Sequence, residues 1–376
     1  MSKPLTGIRV IELAGIGPAP YAGQLLAEMG AEVIVVNRPG ISLPSIDSRG
    51  KKSIIVNIKK SAGVNIVLDL CKTADVIIEG FRPGVTERLG LGPKDCHNIN
   101  PKLIYGRMTG WGQTGPWSNM AGHDINYISI TGALHAIGKD KQVPYPPLNL
   151  LGDYGGGSMF LIMGILASLI KVSKTGIGEI IDTAIIDGTT SMMGIVHSLH
   201  SMGQWSDKRE SNLLDGSMPF YRCYETKDKK YMAVGCLEAK FFDIMLNCIN
   251  LNKEEFGAQH NKNLWPMQHK KLEKAFSLKT RKEWSNIFDN QDACVTPVLS
   301  YKEAIEHPQN MHRDNLIENS GVVRTGTAPK FSNSDNIIDY EISESGKHSR
   351  CILKEIGYSN EYIDELSSRA IVYCRE

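Results

Sequence analysis

The first part of the chain alternates short apolar runs with amphipathic stretches. Ile8 to Leu13, Glu32 to Val36, Ser53 to Ile58, Ala74 to Glu79 and Leu103 to Met108 read as strands. Tyr21 to Met29 reads as a helix stopped by Gly30, and Gly63 to Lys72 as a second helix. This rhythm predicts an α/β fold with a large, Rossmann-like parallel sheet covered by helices on both faces. Ile180 to Ile186 is a further apolar run, and Thr189 to Gln204 reads as a helix leaving the first domain. Phe220 to Thr226 and Tyr231 to Gly235 flank the polar turn Lys227 to Lys230, the pattern of a hairpin. They open a smaller α+β region that runs to about residue 310. Cys351 to Ser368 is again amphipathic helix.

Composition narrows the class. The chain has 376 residues, 41% hydrophobic and 22% charged, enough for one large core and a second, smaller domain. With 42 basic and 41 acidic residues the net charge is +1, which argues against a general nucleic-acid or membrane-surface partner. The most apolar stretch, Ser158 to Ile170, is too short to span a bilayer and reads as a buried helix. No signal-peptide pattern opens the sequence, and a cytoplasmic location is expected. Eight irregularly spaced cysteines, none in a CxxC pair, read as free thiols, and no clustered metal-ligand set is found.

Candidate chemistry lies in the loops. Ala14 to Pro20 contains a Gly-x-Gly, but Pro18 and Pro20 stand where phosphate-cradling amides are wanted. The second strand ends in Asn37-Arg38 rather than an acidic ribose partner, so a dinucleotide site is rejected. Two constellations stand out. One is Ala121-Gly122-His123-Asp124-Ile125-Asn126-Tyr127; the other is Leu151-Gly152-Asp153-Tyr154 followed by three glycines. His123, beside an acid in a Gly-rich stretch, suits a proton carrier. Asp153 suits either a reactive carboxyl or a simple helix cap. His135, His197 and His200 sit in apolar or helical runs and read as structural. Arg38, Arg49, Lys51, Lys52, Arg82 and Arg107 fall near strand ends, where together they are candidates to hold phosphates or to be solvated charge.

With these residues set out, a family becomes visible. The run Gly106 to Pro116, continuing through Ala121 to Tyr127, resembles the α-methylacyl-CoA racemase branch of the family III CoA-transferases. Leu5 to Leu13, Gly80 to Val85, Gly152 to Gly157 and Ala328 to Ser332 fit the same pattern, so the similarity spans essentially the whole chain. The resemblance implies a large domain over 1–188, a linker helix over 189–218, a small domain over 219–310, and a 311–376 segment returning to the large domain. It also implies an interlocked homodimer with active sites shared between subunits.

The resemblance further implies catalytic roles for His123 and Asp153, with Glu238 orienting the histidine from the other subunit. Ala239-Lys240 and Asn37 depart from the family pattern near Glu238 and the adenine pocket. Arg38, Arg82, Asp124, Tyr127 and Gly152 are the expected substrate and coenzyme A contacts. The implied reaction is two-base exchange of the α-proton of a 2-methylacyl-CoA through an enolate. No metal, flavin or pyridoxal is called for, because coenzyme A is part of the substrate. The alternative is a CoA transferase in which Asp153 is the nucleophile. The implied transferases need no histidine at position 123. A non-catalytic acyl-CoA-binding protein is disfavoured by the joint presence of His123, Asp153 and Glu238.

Overall fold

Along the early strands, neighbouring residues such as Val10 and Ile11 point to opposite faces, and both are apolar. Such strands require cover on both sides, which a doubly wound arrangement supplies. The computed structural model describes residues 2–40, 46–319, 321–334 and 341–374. It has two units, one formed by residues 1–133, 146–193 and 327–376, the other by 134–145 and 194–326.

In the first unit the elements run β1 (Arg9–Leu13), α1 (Pro18–Glu28), β2 (Glu32–Asn37), β3 (Lys52–Val56), α2 (Ser61–Cys71), β4 (Val76–Glu79), α3 (Val85–Leu89), α4 (Pro93–Ile99) and β5 (Ile104–Thr109). Then come α5 (Asp124–Ser129), α6 (Ala133–Ala136), of which only Ala133 falls in this unit, a π-helix over Leu150–Ser158, α7 (Met159–Thr175), β6 (Ile180–Ala184) and α8 (Ile185–Met192). The returning segment ends in a two-residue strand, Val372–Tyr373, which lies antiparallel to β3. The remaining strands are parallel, and their order is β3-β2-β1-β4-β5-β6. The order reverses direction at β1, so the loops after β1 and β4 flank a crevice at the carboxyl ends.

Two apolar layers sandwich the sheet. Val10, Val33, Val76 and Ile78 pack with Leu26 of α1 and Leu161 and Ile165 of α7. Ile11, Ile34, Ile54 and Ile77 pack with Ile66 and Leu70 of α2 and with Ile352 and Ile363 of the C-terminal segment. Two ion pairs interrupt this apolar core. The Lys51 ammonium donates to Glu12 Oε2 at 2.7 Å and to the Pro20 carbonyl at 2.8 Å. The Arg49 guanidinium donates to Glu28 Oε1 through Nε at 2.8 Å and also through Nη2.

Helical backbone runs without a break from Leu150 to Thr175, 26 residues, which by length and composition is enough to cross a membrane. The expected stretch ending at Ile170 was shorter. Leu161, Ile162 and Ile165 bury one face of this helix against the sheet, whereas Met159, Met163 and Ile170 are exposed.

The second unit continues with α9 (Gly194–Ser201), β7 (Tyr221–Glu225), β8 (Tyr231–Gly235), α10 (Ala239–Cys248) and β9 (Val295–Val298), and adds the hairpin β10 (Leu316–Asn319) and β11 (Val322–Thr325). Strands β7, β8 and β9 form an antiparallel sheet whose core includes Phe220, Tyr224, Phe242, Phe256, Phe276 and Trp284. The boundaries depart from the sequence expectation in three ways. The anticipated single helix over Thr189 to Gln204 is broken at Met193 into α8 and α9. Residues 311–326 stay with the second unit rather than returning. Residues 134–145 also belong to it, because Arg209 donates to the carbonyls of His135, Lys139 and Gln142 at 2.9, 3.0 and 2.6 Å.

Glu12→Ala would leave the Lys51 ammonium buried without its counter-charge. The expected loss is about 3–5 kcal/mol, as for other broken buried pairs. Urea unfolding followed by circular dichroism at pH 7 checks it; an unchanged midpoint refutes it.

Candidate active site

Helix α5 starts at Asp124, with His123 at its N-cap position. The turn is closed from below by Asn126, whose Oδ1 accepts the His123 backbone N–H at 3.1 Å. His123 itself is exposed. The ring of Tyr127 packs edge-on against Trp111, with centroids 4.8 Å apart, and Trp111 meets Trp117 edge-on at 5.0 Å. The Tyr127 hydroxyl donates to the Gly122 carbonyl. A Cβ on Gly110 would sit 2.0 Å from the Tyr127 ring, and one on Gly122 would sit 2.6 Å from it. The glycines of the Gly106–Pro116 and Gly122–Tyr127 runs thus make room for an aromatic anchor that holds the histidine loop. Tyr127, expected as a substrate contact, has its hydroxyl committed to that loop.

Asp153 lies within the π-helix, four residues beyond the N-cap position, which is Asn149. The helix-cap reading is therefore wrong. The wide turn is held by Met159 N–H donating to the Tyr154 carbonyl five residues back. Ser158 Oγ reaches both the Pro18 carbonyl, at 2.8 Å, and the Asp153 carbonyl, at 3.2 Å. The Tyr154 ring stacks on Tyr21 of α1 at 4.2 Å. On the other side, the Asp153 backbone N–H donates to Asp124 Oδ2 at 2.7 Å. Gly152 lets that carboxylate in, since a Cβ there would lie 2.4 Å from the same oxygen. The loop after β1 also reaches the site, with a Cβ on Gly17 placed 3.5 Å from Asp153 Oδ2.

The electrostatics follow from this enclosure. Burial pushes the Asp153 carboxyl up to about 6, the neighbouring Asp124 pushes in the same direction, and His123 opposes them. Burial, and then the Asp153 charge, raises the Tyr127 phenol, while Arg82 works against that rise. His123, Asp124, Tyr127, Gly152 and Asp153 are thus one cluster, with Arg82 at its edge. Glu238 stands at the N-cap of α10 in the second unit, exposed.

The expected cations separate into two groups. Arg38 is exposed and lines a cleft of about 560 Å³ with Pro39, Asn57, Lys59, Phe81 and Arg88. Arg88 and Lys59 were not singled out by the sequence. Arg88 stands one helical turn past Gly84, in the segment that carries Arg82, and that proximity was the available signal. By contrast, Arg49, Lys51 and Arg107 are buried on carboxylates and are not phosphate ligands. Arg107 pairs with Glu79 at 2.9 Å and Glu87 at 2.7 Å. Lys52 is held by Glu32 and Glu355. A larger cleft, about 1030 Å³, lies within the second unit beside Tyr221, Arg222, Cys223 and Glu273. No grouping of His, Cys, Asp and Glu fit to hold a metal occurs among the described residues.

Residues 5–338 match the family described as CoA-transferase family III. The chain belongs to the family III CoA-transferases. Among its relatives in this family is an alpha-methylacyl-CoA racemase of Mus musculus, 42% identical over 370 residues, 98% of this chain and 97% of that one. The Homo sapiens alpha-methylacyl-CoA racemase is 39% identical over 371 residues, with the same coverage. A succinyl-CoA:glutarate CoA-transferase of Mus musculus is 29% identical over 401 residues, 98% of this chain and 90% of that one. In fold, the chain is similar to a CAIB/BAIF family protein from Brucella suis, at TM-score 0.82 and 23% identity, covering 95% of this chain and 100% of the other. The mixed α/β architecture with a large, mostly parallel sheet is therefore the architecture of this family III member.

A carboxyl whose folded pKa is raised opposes folding once it ionises. Its contribution is favourable below the unfolded value of 3.8 and is lost as pH rises through about 6. Asp153→Asn, neutral at every pH, should therefore melt higher than the wild type at pH 8. The gap should close as the pH is lowered through 6 toward 4. Thermal melts across this range test it; a gap that does not change with pH contradicts the assignment.

Proposed function

We propose that this protein is an isomerase that interconverts the (2R) and (2S) forms of 2-methylacyl-CoA thioesters. The observation that carries the reading is the pairing of His123 with Asp153, a carboxyl whose proton affinity is raised toward that of an imidazole. Relatives named alpha-methylacyl-CoA racemase, similar over nearly the whole chain, support it. In one direction His123 takes the α-proton and the C–H electron pair moves into the enolate. Asp153 then gives its own proton to the opposite face of the same carbon, leaving a carboxylate and an imidazolium. The reverse direction exchanges the roles, so no atom or electron is gained or lost. Backbone amides at the start of α5, near Asp124, take the enolate oxygen. The chemistry needs no group beyond the coenzyme A of the substrate.

We propose that coenzyme A binds in the cleft around Arg38, where Arg88 and Lys59 can meet phosphate and Phe81 forms an apolar wall, with Arg82 next to Phe81 in the chain. We further propose that the chain works as an interlocked homodimer in which the partner subunit's Glu238 orients His123. The exposed Met159, Met163, Ile170, Ile177 and Ile180 of the first unit supply apolar surface suited to a second copy. All eight cysteines carry free thiols, which suits a reducing compartment such as the cytoplasm. The transferase alternative finds support in the relative that acts on succinyl-CoA and glutarate. It asks Asp153 to be a carboxylate nucleophile and leaves His123 without a part in the chemistry.

The test is incubation of one pure 2-methylacyl-CoA enantiomer in deuterium oxide, with and without a free acid acceptor. Deuterium should enter the α-position as the other enantiomer appears, with no added cofactor. CoA transfer to the acid without α-exchange would refute the racemase reading. His123→Ala should lower racemisation by at least about 10²-fold, typical for loss of a positioned general base. Arg38→Ala should raise KM more than it lowers kcat, because it removes binding common to ground and transition states.

A further inference from the structure

We propose that the side chain of Asp124 is the positioning residue of Asp153, fixing its backbone through one hydrogen bond and holding its proton through one negative charge. The proposal deepens the racemase reading and uses a part of Asp124 to which that reading gives no role, since there only the backbone near Asp124 meets the enolate.

The geometry has three parts. First, Asp124 is buried, 8% exposed, at the start of α5. Its Oδ2 accepts the backbone N–H of Asp153 at 2.7 Å, a contact across 29 residues of sequence. Second, this contact depends on Gly152, where any side chain would begin 2.4 Å from Oδ2 and 2.8 Å from Cγ. Third, Asp124 Oδ1 is buried and accepts no hydrogen bond. Its charge is therefore less neutralised than that of a fully bonded carboxylate. A negative charge so placed in a low-dielectric setting favours the protonated form of the neighbouring carboxyl.

The groups around Asp153 leave Asp124 as the acidic contributor. On α5, His123 acts in the opposite sense and Tyr127 carries a phenol raised partly by Asp153 itself. On α1, Tyr21 is stacked on Tyr154. On α8, the Asp187 carboxyl is raised by burial and then by the charge of Asp182 on β6. On β5, Arg107 is engaged by Glu79 and Glu87. A carboxyl titrating near 6 keeps on the order of a hundred times the protonated fraction of an ordinary aspartic acid at pH 7. Asp124 thus helps poise the pair with one proton to pass between its two members.

The experiment is a carbon-13 titration of the full-length protein labelled at aspartate side-chain carboxyls, with the Asp153 signal assigned by its loss in Asp153→Asn. Asp124→Asn keeps an acceptor oxygen for the Asp153 N–H and removes the charge. The Asp153 midpoint should fall by about one pH unit, the size expected for a neighbouring charge screened at a partly buried site. The acid limb of kcat/KM for racemisation should move down with it. Asp124→Ala removes bond and charge together and should lose more activity than Asp124→Asn. A midpoint that stays near 6 in a folded Asp124→Asn protein overturns the proposal. So does an unshifted acid limb, which would leave Asp124 a purely structural role. The carbon-13 midpoint does not depend on turnover. Should the wild type fail to exchange the α-hydrogen, the racemase reading falls while the titration still decides the place of Asp124.

Discussion

Backbone-to-backbone approach around the π-helix is the constraint on which the site depends. Within the π-helix Leu150–Ser158, Gly152 and Gly156 approach α5 and α8 at distances that leave no room for a side chain. A Cβ on Gly188 would lie 2.0 Å from the Gly156 carbonyl, and one on Gly156 would lie 2.5 Å from Thr189 Oγ1. The wide helical turn lets Asp153 face the histidine loop while its own amide is taken by a neighbouring carboxylate. An α-helical turn of the same sequence would rotate Asp153 relative to Gly152 and break one of these contacts. The site is therefore built on rigid elements whose mutual spacing is set by missing side chains rather than by large ones.

Charge is distributed to match. The buried cations Arg49, Lys51 and Arg107 each meet a carboxylate, so they stabilise the sheet and its first helix without being offered to a ligand. Arg38, Arg82 and Arg88 stand exposed beyond the carboxyl ends of β2 and β4, and β4 borders the point where the strand order reverses. A doubly wound sheet presents its ligand crevice at that point. The same fold thereby separates cations that hold the protein together from cations that can meet phosphate.

Much of this was legible in the sequence, for identifiable reasons. Strands β1 to β5 were read because buried parallel strands are apolar on both faces and bounded by turn residues. His123 and Asp153 stood out because His123 lies in a Gly-rich stretch beside an acid, and Asp153 with three glycines precedes an apolar helix. The π-helix was not legible: three consecutive glycines carry no periodicity, and Asp153 before an apolar helix looks like a cap. Nor were the ion pairs, since Lys51 and Glu12 are separated by 39 residues and Arg49 and Glu28 by 21. Residues 134–145 join the second unit through contacts about 70 residues away in the chain, among them three carbonyls meeting the Arg209 guanidinium and the Asp140 N–H on Glu210. Val372–Tyr373 is too short for any pattern to mark as a strand. The role of Glu238 came from resemblance alone, whereas Arg82 was marked by its place after the fourth strand.

The edge strand Val372–Tyr373 ties the fold to the order of synthesis. The first unit draws on three separate stretches of chain, and Ile352, Ile363 and Val372 belong to one of its two apolar layers. While the ribosome is still making residues 194–326, that layer lacks part of its cover and β3 lacks its neighbour on one side. An uncovered parallel sheet with an open edge is sticky toward other chains. The growing polypeptide therefore carries a half-finished domain through the whole translation of the second unit, and the last few dozen residues decide whether it closes correctly. Truncations near the C-terminus should be felt as poor yield from the cell before they are felt as altered catalysis.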